Sequence, residues 1–368
     1  MKILYVSTIS NTINSFLIPH IQFLVNQGHK VDVACNIVQV LDQRLNELGC
    51  TIYNIPFERS PWKTQNILAY RRLKEIIEKG QYNIVHTHTP VASAYTRLAC
   101  LNTNNNTKVI YTAHGFHFYK GAPLINWLIY YPIERWLSKY TDVVITINQE
   151  DYERAKKTFK CKKVEYLPGA GIDVSKFRDV VVDRSVKRKE LGIPEHEFMV
   201  LSVGELNKNK NHETVIKAVA KLRDPNVYYV ICGQGNLENK LRKLAFNLGV
   251  QDNVKLLGYR RDIPEILKAA DLFVFPSYRE GLPVSLMEAM ASGLPVICSN
   301  IRGNRDLMKH NSSEFLVKPN DVDHYSRLIN QFKNESKFRE IMLHQSNGID
   351  NYSITKVNET LKSIYSNI

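Results

Sequence analysis

The sequence predicts an α/β protein with two doubly wound domains, each built on a parallel β-sheet. The chain of 368 residues is longer than one hydrophobic core usually supports. Short apolar runs alternate with helix-like segments through both halves, an order typical of parallel sheets covered by helices on both faces. The alternation is interrupted between residues 168 and 192, which predicts a connection between two Rossmann-like domains that face a cleft.

In the first half, short apolar runs predict the strands, and a helical apolar period predicts the helices between them. The predicted strands are Lys2–Ser7, His29–Cys35, Ile52–Ile55, Ile84–Thr87, Val109–Thr112 and Val143–Ile147. The predicted helices are Phe16–Asn26, Val40–Leu48, Ile67–Lys79 and Leu124–Tyr140. The segment LPGAGID and the charged run VDRSVKRKELGIP form the predicted connection.

The second half repeats the same alternation. Its predicted strands are Phe198–Val203, Val227–Cys232, Val254–Leu257 and Asp271–Phe275, and its predicted helices are His212–Leu222, Glu238–Leu248 and one that starts at Val284. Beyond Asp321 the pattern is helical, with a last helix near Ile354–Tyr365. We expect domains at residues 1–180 and 181–350 and a terminal helix at 351–368.

Composition and charge restrict the class of protein. The six cysteines are scattered without metal-ligand spacing, which favours a reducing cytoplasm. No apolar run approaches the roughly 18 to 20 residues of a membrane span, and the N-terminus is typical of a first strand rather than a signal peptide. The net charge of +13 indicates attraction to polyanions. The basic residues are diffuse and form no nucleic-acid motif, so membrane attraction and solvated helix faces are the two open explanations.

The segment from Asp271 to Asp306 carries the strongest functional signal. An apolar strand leads into a turn that holds Glu280, and the helix that follows holds Glu288. Gly281 lets the turn bend, and Pro283 fits the first helical position. Because a helix N-terminus presents free N–H groups and a positive dipole end, a phosphate would suit this turn.

The sequence around these glutamates, FPSYREGLP followed by EAMASGLPVI, resembles the signature of retaining, nucleotide-sugar-dependent glycosyltransferases of family 4. The resemblance runs along nearly the whole chain and implies the GT-B fold, in which the terminal helix crosses back to the N-terminal domain. It implies that Glu280 lies near the donor sugar and that Glu288 binds the ribose hydroxyls. The turn and helix start, Gly281, Leu282, Pro283 and Val284, are assigned to the donor site with them.

The segment SVGELNKNKNHE also follows a strand and opens a helix. Gly204 would let the backbone approach a ligand, and Lys210 would place an ammonium near phosphate. The segment resembles the part of the family whose arginine and lysine hold the pyrophosphate. Lys210 matches that lysine, whereas Glu205 occupies the arginine position, which leaves open whether Lys208 compensates.

Three further loops follow strands of the second half. Gly233 lies in a Gly-x-Gly turn where the chain can pass near a nucleotide. GYRRDIPEIL resembles the family segment whose backbone, near Arg260, contacts the base. SNIRGNRDL shares only its position with the corresponding loop of the family, and Asn304 or Arg305 is the candidate donor contact there.

In the first domain, YTAHGFHF places His114 just past a strand end. Its position resembles that of the family histidine beside the donor sugar and phosphate, and a neutral imidazole can both donate and accept hydrogen bonds. His86 and His88 alternate along a strand and face one side, as structural or acceptor-side groups; a zinc pair would lack a third ligand. The loop after the first strand contains no glycine. Asn11, Thr12 and Asn14 would therefore offer side-chain hydrogen bonds to the sugar donor, or the loop would contact the acceptor substrate.

The aromatic segment GAPLINWLIYYPIERWLSKY at residues 121–140 has two interpretations. A buried helix with tyrosines at its rim is the simpler one. Tryptophan, tyrosine and basic residues together also suit a membrane interface. The resemblance to bacterial capsule and exopolysaccharide enzymes favours peripheral attachment at the inner face of the membrane.

These observations predict a cytoplasmic retaining glycosyltransferase that moves a sugar from a nucleotide donor, expected to be a UDP-sugar, to a polyprenyl-diphosphate-linked saccharide. Glu280 and His114 would be catalytic, and Lys210 with helix N-termini would stabilise the departing diphosphate. No carboxylate-metal motif is evident, so transfer without a metal is expected. The alternatives are a sugar-nucleotide 2-epimerase on the same scaffold and a non-catalytic polyanion-binding module.

Overall fold

The computed structural model describes residues 1–103, 106–308, 313–335 and 344–368. The chain forms two compact units. The first unit comprises Met1–Ala170 together with Ile354–Ile368, and the second unit comprises Gly171–Ser353. The chain changes units near residues 170 and 353, where the sequence placed the changes near 180 and 350.

The first unit contains a parallel sheet that, over the described residues, has seven strands in the order β3-β2-β1-β4-β5-β6-β7. The strands are β1 (Lys2–Ile9), β2 (Lys30–Asn36), β3 (Ile52–Asn54), β4 (Ile84–His88), β5 (Lys108–Ala113), β6 (Val143–Thr146) and β7 (Lys163–Tyr166). The α-helices between them are α1 (Ser10–Thr12), α2 (Ile18–Asn26), α3 (Arg44–Glu47), α4 (Gln65–Gly80), α5 (Pro90–Leu101), α6 (Leu124–Leu137) and α7 (Gln149–Thr158). A π-helical turn, Ile13–Leu17, joins α1 to α2.

The second unit contains a parallel sheet in the order β10-β9-β8-β11-β12-β13. Its strands are β8 (Phe198–Val203), β9 (Val227–Cys232), β10 (Val254–Leu256), β11 (Leu272–Phe275), β12 (Val296–Ser299) and β13 (Leu316–Val317). Its α-helices are α8 (Val174–Arg178), α9 (Arg184–Glu190), α10 (His212–Leu222), α11 (Glu238–Asn247), α12 (Ile263–Ala269), α13 (Val284–Ala291), α14 (Arg302–Leu307) and α15 (Val322–Asn334). The prediction of two Rossmann-like α/β domains is confirmed.

Each sheet reverses its strand order once. The reversal lies between β1 and β4 in the first unit and between β8 and β11 in the second. Loops that leave two such strands diverge to opposite faces, which opens a crevice at the carboxyl ends of the strands. The loops after these four strands are therefore the natural places for ligand-binding side chains.

The terminal helix, α16 (Ile354–Ser366), belongs to the first unit. Its side chains Val357, Leu361 and Ile364 are buried in the same core cluster as residues of β1 and α2. Two polar contacts fix it further: Asn358 Oδ1 lies 2.7 Å from His20 Nδ1, and the Tyr365 hydroxyl lies 2.6 Å from His86 Nδ1. The helix thus closes the hydrophobic core of the first unit, as the GT-B expectation requires.

The connection between the domains is more ordered than the sequence suggested. Asp173 and Asp183 cap α8 and α9, because each carboxylate accepts a hydrogen bond from the first turn of its helix. Arg188 is buried and forms an ion pair of 2.5 Å with Asp271. The segment therefore packs as part of the second unit rather than as a loose linker.

The predicted helix Val40–Leu48 is wrong over its first half. Only Arg44–Glu47 is helical, and Val40 is 89% exposed. Asn14 explains the difference, because its side chain donates to the Val40 carbonyl at 2.9 Å and accepts from the Asp42 N–H at 3.1 Å. A long-range contact of this kind overrides a local helical period.

The helix α6 also differs from its simpler interpretation as a buried helix. Leu124 and Leu128 are 80% and 73% exposed. Three aromatic side chains of the helix pack inward, against a core cluster that contains Phe116 and Phe118: Trp127, Tyr130 and Tyr131. Among the helices of the described ranges, none is both long and apolar enough to cross a bilayer.

Burial lowers the pKa of the histidines His20 and His86 in the first unit, because charging them inside the core removes hydration. Below about pH 6.5 the unfolded chain therefore binds more protons than the native chain. The stability that the neutral histidines contribute is fully present above this pH and is lost as the pH falls below it. We expect the free energy of unfolding to fall with up to about 1.4 kcal/mol per pH unit for each such histidine. Urea unfolding at several pH values measures this slope.

Two variants test the assignment. His20→Asn should reduce the slope by the contribution of one histidine, whereas His196→Asn, which changes an exposed histidine, should leave it unchanged. An unfolding free energy that stays flat between about pH 7 and pH 5 would contradict the prediction.

Candidate active site

The two loops at the strand reversal of the second unit are tied together. The loop after β8 and the loop after β11 exchange backbone and side-chain hydrogen bonds: the Tyr278 N–H donates to the Asn209 carbonyl at 2.8 Å, and Asn209 Nδ2 donates to the Arg279 carbonyl at 2.9 Å. Asn211, at φ 56°, donates from Nδ2 to the Pro276 carbonyl at 3.1 Å. These bonds hold the turn that carries Glu280 at a fixed place.

Lys210 and Glu280, predicted from separate motifs, meet across this reversal. Lys210 Nζ lies 2.8 Å from Glu280 Oε1, and the two side chains are only 20% and 16% exposed. The ammonium also lies 4.8 Å from the centre of the Phe275 ring, a cation–π contact. An ammonium carries three donors and Glu280 uses one of them, so the group is suited to bind an anion beside the carboxylate.

Glycines allow the neighbouring loops to approach this pair. A Cβ on Gly233 would overlap the carbonyl oxygen of Gly204, and a Cβ on Gly204 would lie 3.2 Å from the side chain of Lys210. On the other side, a Cβ on Gly303 would overlap the carbonyl oxygen of Gly281. The loops after β8 and β9 therefore pack backbone against backbone at the carboxyl edge of the sheet, and so do the loop after β11 and the start of α14.

Glu288 lies in the second turn of α13, and its carboxylate forms no hydrogen bond with the described residues. Burial raises the pKa of Glu288 to about 7, although nearby Lys176 acts in the opposite direction. A partly buried carboxylate with a shifted pKa near a strand reversal is a functional-site candidate. Pro283 is the N-cap of α13 rather than its first helical residue, and no side chain of the described chain caps this N-terminus.

The remaining predicted donor residues of the second unit differ in what they contact. The Arg260 side chain pairs with Asp262 at 2.6 Å and with Glu190 at 2.5 Å, and these contacts raise the pKa of Arg260. Asn304 is buried and donates to Ser299, and Arg305 Nε donates to Asn300. Lys208 and Glu205 are exposed.

Arg302 is the residue of this region that the sequence did not single out. It is 5% exposed, and its Nε donates to the Glu280 carbonyl at 3.1 Å. From the first position of α14, its guanidinium thus supports the turn that carries Glu280. In the sequence, Arg302 is distinguished only by its position directly before Gly303. That position does not indicate a function until the fold brings it next to Glu280.

In the first unit, His114 lies after β5 and contacts His88 at the end of β4. His88 Nδ1 lies 3.1 Å from His114 Nε2, and burial lowers the pKa of His114 to about 4. His88 stacks on Tyr5, and the rings of His86 and His88 lie 4.3 Å apart, so the two face one side as predicted. These imidazoles are neutral at physiological pH and can donate or accept hydrogen bonds without carrying charge.

The histidines do not form a metal centre within the described parts of the chain, where no three His, Cys, Asp or Glu side chains gather as a metal ion would require. His86 is satisfied by Thr112 at 2.7 Å and by Tyr365. The segment after β1 is helical rather than a loop, and Asn14 bonds to the backbone of residues 40 and 42.

Thr89 occupies the strand reversal of the first unit in a strained conformation. Its φ of 68° and ψ of 141° are rare for a β-branched residue. The Thr8 N–H donates to Thr89 Oγ1 at 3.0 Å, and the two hydroxyl oxygens lie 2.7 Å apart. Such strain is typical of functional positions, where the surroundings enforce it.

Two doubly wound units, with an ion pair and closely packed glycines at the strand reversal of the second unit, are the architecture of the GT-B class of glycosyltransferases. Residues 183–346 match the family Glycosyl transferases group 1, and residues 2–148 match the family Glycosyl transferase 4-like. Together with the two relatives described next, these matches show that the chain belongs to the glycosyltransferases of group 1.

Two relatives match along most of their length. EpsD of Bacillus subtilis (strain 168) is 38% identical over 338 residues, which cover 90% of this chain and 87% of EpsD. The UDP-Gal:alpha-D-GlcNAc-diphosphoundecaprenol alpha-1,3-galactosyltransferase of Escherichia coli is 32% identical over 352 residues, which cover 94% of this chain and 90% of that protein.

Solved structures share the fold at low identity. HepE of Anabaena in complex with UDP and glucose superimposes with a TM-score of 0.82 at 19% identity, over 100% of both chains. WaaG, a glycosyltransferase involved in lipopolysaccharide biosynthesis, superimposes with a TM-score of 0.76 at 18% identity, over 98% of this chain and 99% of WaaG. The predicted GT-B fold is confirmed.

The stacking of the glycine loops predicts that Gly233→Ala is destabilising. The added methyl group overlaps the Gly204 carbonyl, which is backbone and must move. We expect a loss of about 1–3 kcal/mol in the free energy of unfolding, measured by urea denaturation.

Gly348→Ala is the matched control, because a Cβ there meets nothing within 4 Å. Its effect should stay within about 0.5 kcal/mol. Equal stability of the Gly233→Ala variant and the wild type would show that the loops are not packed in this way.

Proposed function

We propose that this glycosyltransferase transfers a sugar from a UDP-sugar, with retention of anomeric configuration, to a polyprenyl-diphosphate-linked saccharide of bacterial surface polysaccharide synthesis. The observation that carries the proposal is the Lys210–Glu280 pair at the strand reversal of the second unit. Its ammonium is matched to a diphosphate, and its carboxylate is matched to the hydroxyls of the sugar attached to that diphosphate.

The comparisons support the donor and acceptor classes. The Escherichia coli relative is named for a UDP-Gal donor and a diphosphoundecaprenol-linked acceptor, and HepE was solved with UDP and glucose. In this chain, Lys210 and the uncapped N-terminus of α13 would hold the diphosphate. Glu288 would accept hydrogen bonds from the ribose, and Gly204 and Gly233 would let the backbone approach the nucleotide.

Charge stabilisation accounts for the transfer. As the bond between the anomeric carbon and the diphosphate breaks, negative charge grows on the leaving oxygen, and fixed donors stabilise it without reorganising. Glu280 orients the sugar, and His114 contributes a neutral imidazole that can bond to a sugar hydroxyl. We propose that the reaction proceeds without a metal ion.

The net charge of +13 and the exposed aliphatic side chains of α6 support a peripheral position at the cytoplasmic face of the membrane. At this position the enzyme meets a lipid-linked acceptor and a water-soluble donor together.

Transfer activity tests the proposal directly. Purified protein, radiolabelled UDP-sugars and a membrane extract should yield a glycosylated lipid, in excess chelator as well as without it. Glu280→Gln, which keeps the volume and a polar contact to Lys210, should lower kcat about a hundredfold because the sugar loses its orientation. Glu195→Gln, at an exposed glutamate, is the matched control.

Three results would contradict parts of this proposal. Full activity of Glu280→Gln would remove the role of that carboxylate. Loss of activity in chelator would contradict metal independence. An isomerised sugar nucleotide formed from donor alone would identify the protein as an epimerase instead.

The raised pKa of Glu288, about 7, predicts a pH dependence of donor binding. Ribose hydroxyls bind the ionised carboxylate best, so the affinity for a UDP-sugar should rise with pH, by up to about tenfold per unit below the pKa. A UDP-sugar is the suitable probe, because its diphosphate diester has no proton to lose in this range. Titration calorimetry between about pH 6 and pH 8 measures the dissociation constant.

Glu288→Gln removes the titrating group. This variant should bind more weakly than the wild type at the upper end of the range and show no dependence on pH within it. A wild-type affinity that is the same at both ends would contradict a ribose contact by the ionised carboxylate.

A further inference from the structure

The first unit contains an apolar groove of about 540 Å³ that no part of the donor site uses. Its volume lies within the range of roughly 300–1,000 Å³ that is typical of small-molecule sites. One wall is α5, and the opposite wall is α6. The groove is therefore a feature of this unit alone.

The two walls present continuous apolar stripes. On α5 the lining positions are Val91, Ala94, Tyr95 and Leu98, which follow the helical repeat along one face. On α6 the lining residues include Ile129, Ile133 and Trp136, and Trp62 covers the groove from the loop before α4. Ile133, Trp136 and Trp62 are 42%, 45% and 78% exposed, so a large apolar surface is open to a ligand.

The groove begins at the strand reversal of the first unit. Thr8, which is in β1, and Thr89, which follows β4, line it together with the start of α5. From Pro90 to Leu98 the helix rises by about 12 Å away from the carboxyl edge of the sheet. One end of the groove thus lies at the edge where parallel sheets hold their ligands, and the other lies along the apolar helices.

The charges at the groove suit an anion attached to a hydrocarbon chain. Arg59 is exposed, lines the groove and forms no ion pair with the described residues. The only carboxylate among the lining residues, Glu134, is neutralised by Arg97 at 2.9 Å and would not repel a diphosphate. Thr8, Thr89 and His117 add groups able to donate hydrogen bonds.

We propose that this groove binds the isoprenoid chain of the lipid-linked acceptor, next to the diphosphate. The assignment rests on the proposed function, because it takes the acceptor to be a polyprenyl diphosphate saccharide. An isoprenoid chain is branched and apolar, and so are the side chains that line most of the groove. The first isoprene units then fix the acceptor, and the enzyme distinguishes its carrier from bilayer lipids.

Farnesyl diphosphate is a suitable probe, because it carries the same chemistry in a short, soluble form. Trp62 and Trp136 line the groove, so their fluorescence reports occupancy, and calorimetry gives the dissociation constant. Farnesyl diphosphate should bind more tightly than geranyl diphosphate and far more tightly than inorganic diphosphate. Each additional buried methylene favours binding by about fourfold.

Three variants make the test specific. Ala94→Trp fills the groove, and Ile133→Ser removes apolar lining at a half-exposed position that tolerates a polar side chain. Each should weaken farnesyl diphosphate binding by about tenfold or more. Leu128→Ser lies on the same helix outside the groove and should leave this affinity unchanged. Binding of a UDP-sugar should be the same in all three variants and the wild type.

The outcomes separate the two proposals. Equal affinity for farnesyl and inorganic diphosphate, or full binding by Ala94→Trp, would overturn the groove assignment while leaving donor binding intact. Loss of binding to anionic vesicles in both Ile133→Ser and Leu128→Ser, without any binding of farnesyl diphosphate, would show that this face contacts the bilayer only. Failure of UDP-sugar binding in the wild type would instead refute the proposed function.

Discussion

The ion pair between Lys210 and Glu280 is the interaction on which the candidate active site depends. Both side chains are largely buried, and a buried charge without a partner would cost several kcal/mol, so the loss of either residue would leave the other unpaired. The pair also links the loop after β8 to the loop after β11, beside the bonds of Asn209 and Asn211. An anion that binds here meets a cation already fixed in place, and the carboxylate remains beside it.

The sequence predicted the residues of this site but not their contacts. The strand, turn and helix pattern around Glu280 and Glu288 is local, and so is the segment that contains Lys210. Their meeting depends on the reversal of strand order between β8 and β11, which no local period encodes. Arg302 and Thr89 were not singled out for the same reason, because their importance arises from neighbours distant in the sequence.

The fold shows the same division between local and long-range information. Strong apolar runs predicted the central strands well. Helix α5 was not predicted, because its buried residues are small or polar: Ala92, Ser93, Thr96, Arg97 and Ala99. Arg97 is fully buried only because Glu134 of α6 and the Tyr111 ring receive its guanidinium. The burial of Arg97 can be predicted only when the positions of α5 and α6 are known. The same is true of the exposure of the aliphatic side chains of α6.

The two units share one sheet architecture but differ in the charge of the side chains at their strand reversals. In the second unit the reversal presents an ammonium, a carboxylate and an uncapped helix start, which suit a charged and strongly hydrated diphosphate. In the first unit burial keeps His88 and His114 neutral, and an apolar groove begins beside Thr89. Neutral donors next to an apolar surface impose little desolvation cost on a hydrocarbon chain, whereas buried charges would be costly to leave unpaired beside it. A sheet topology that fixes only where ligands bind can therefore serve two chemically different ligands, because the side chains after each reversal decide which ligand is stabilised.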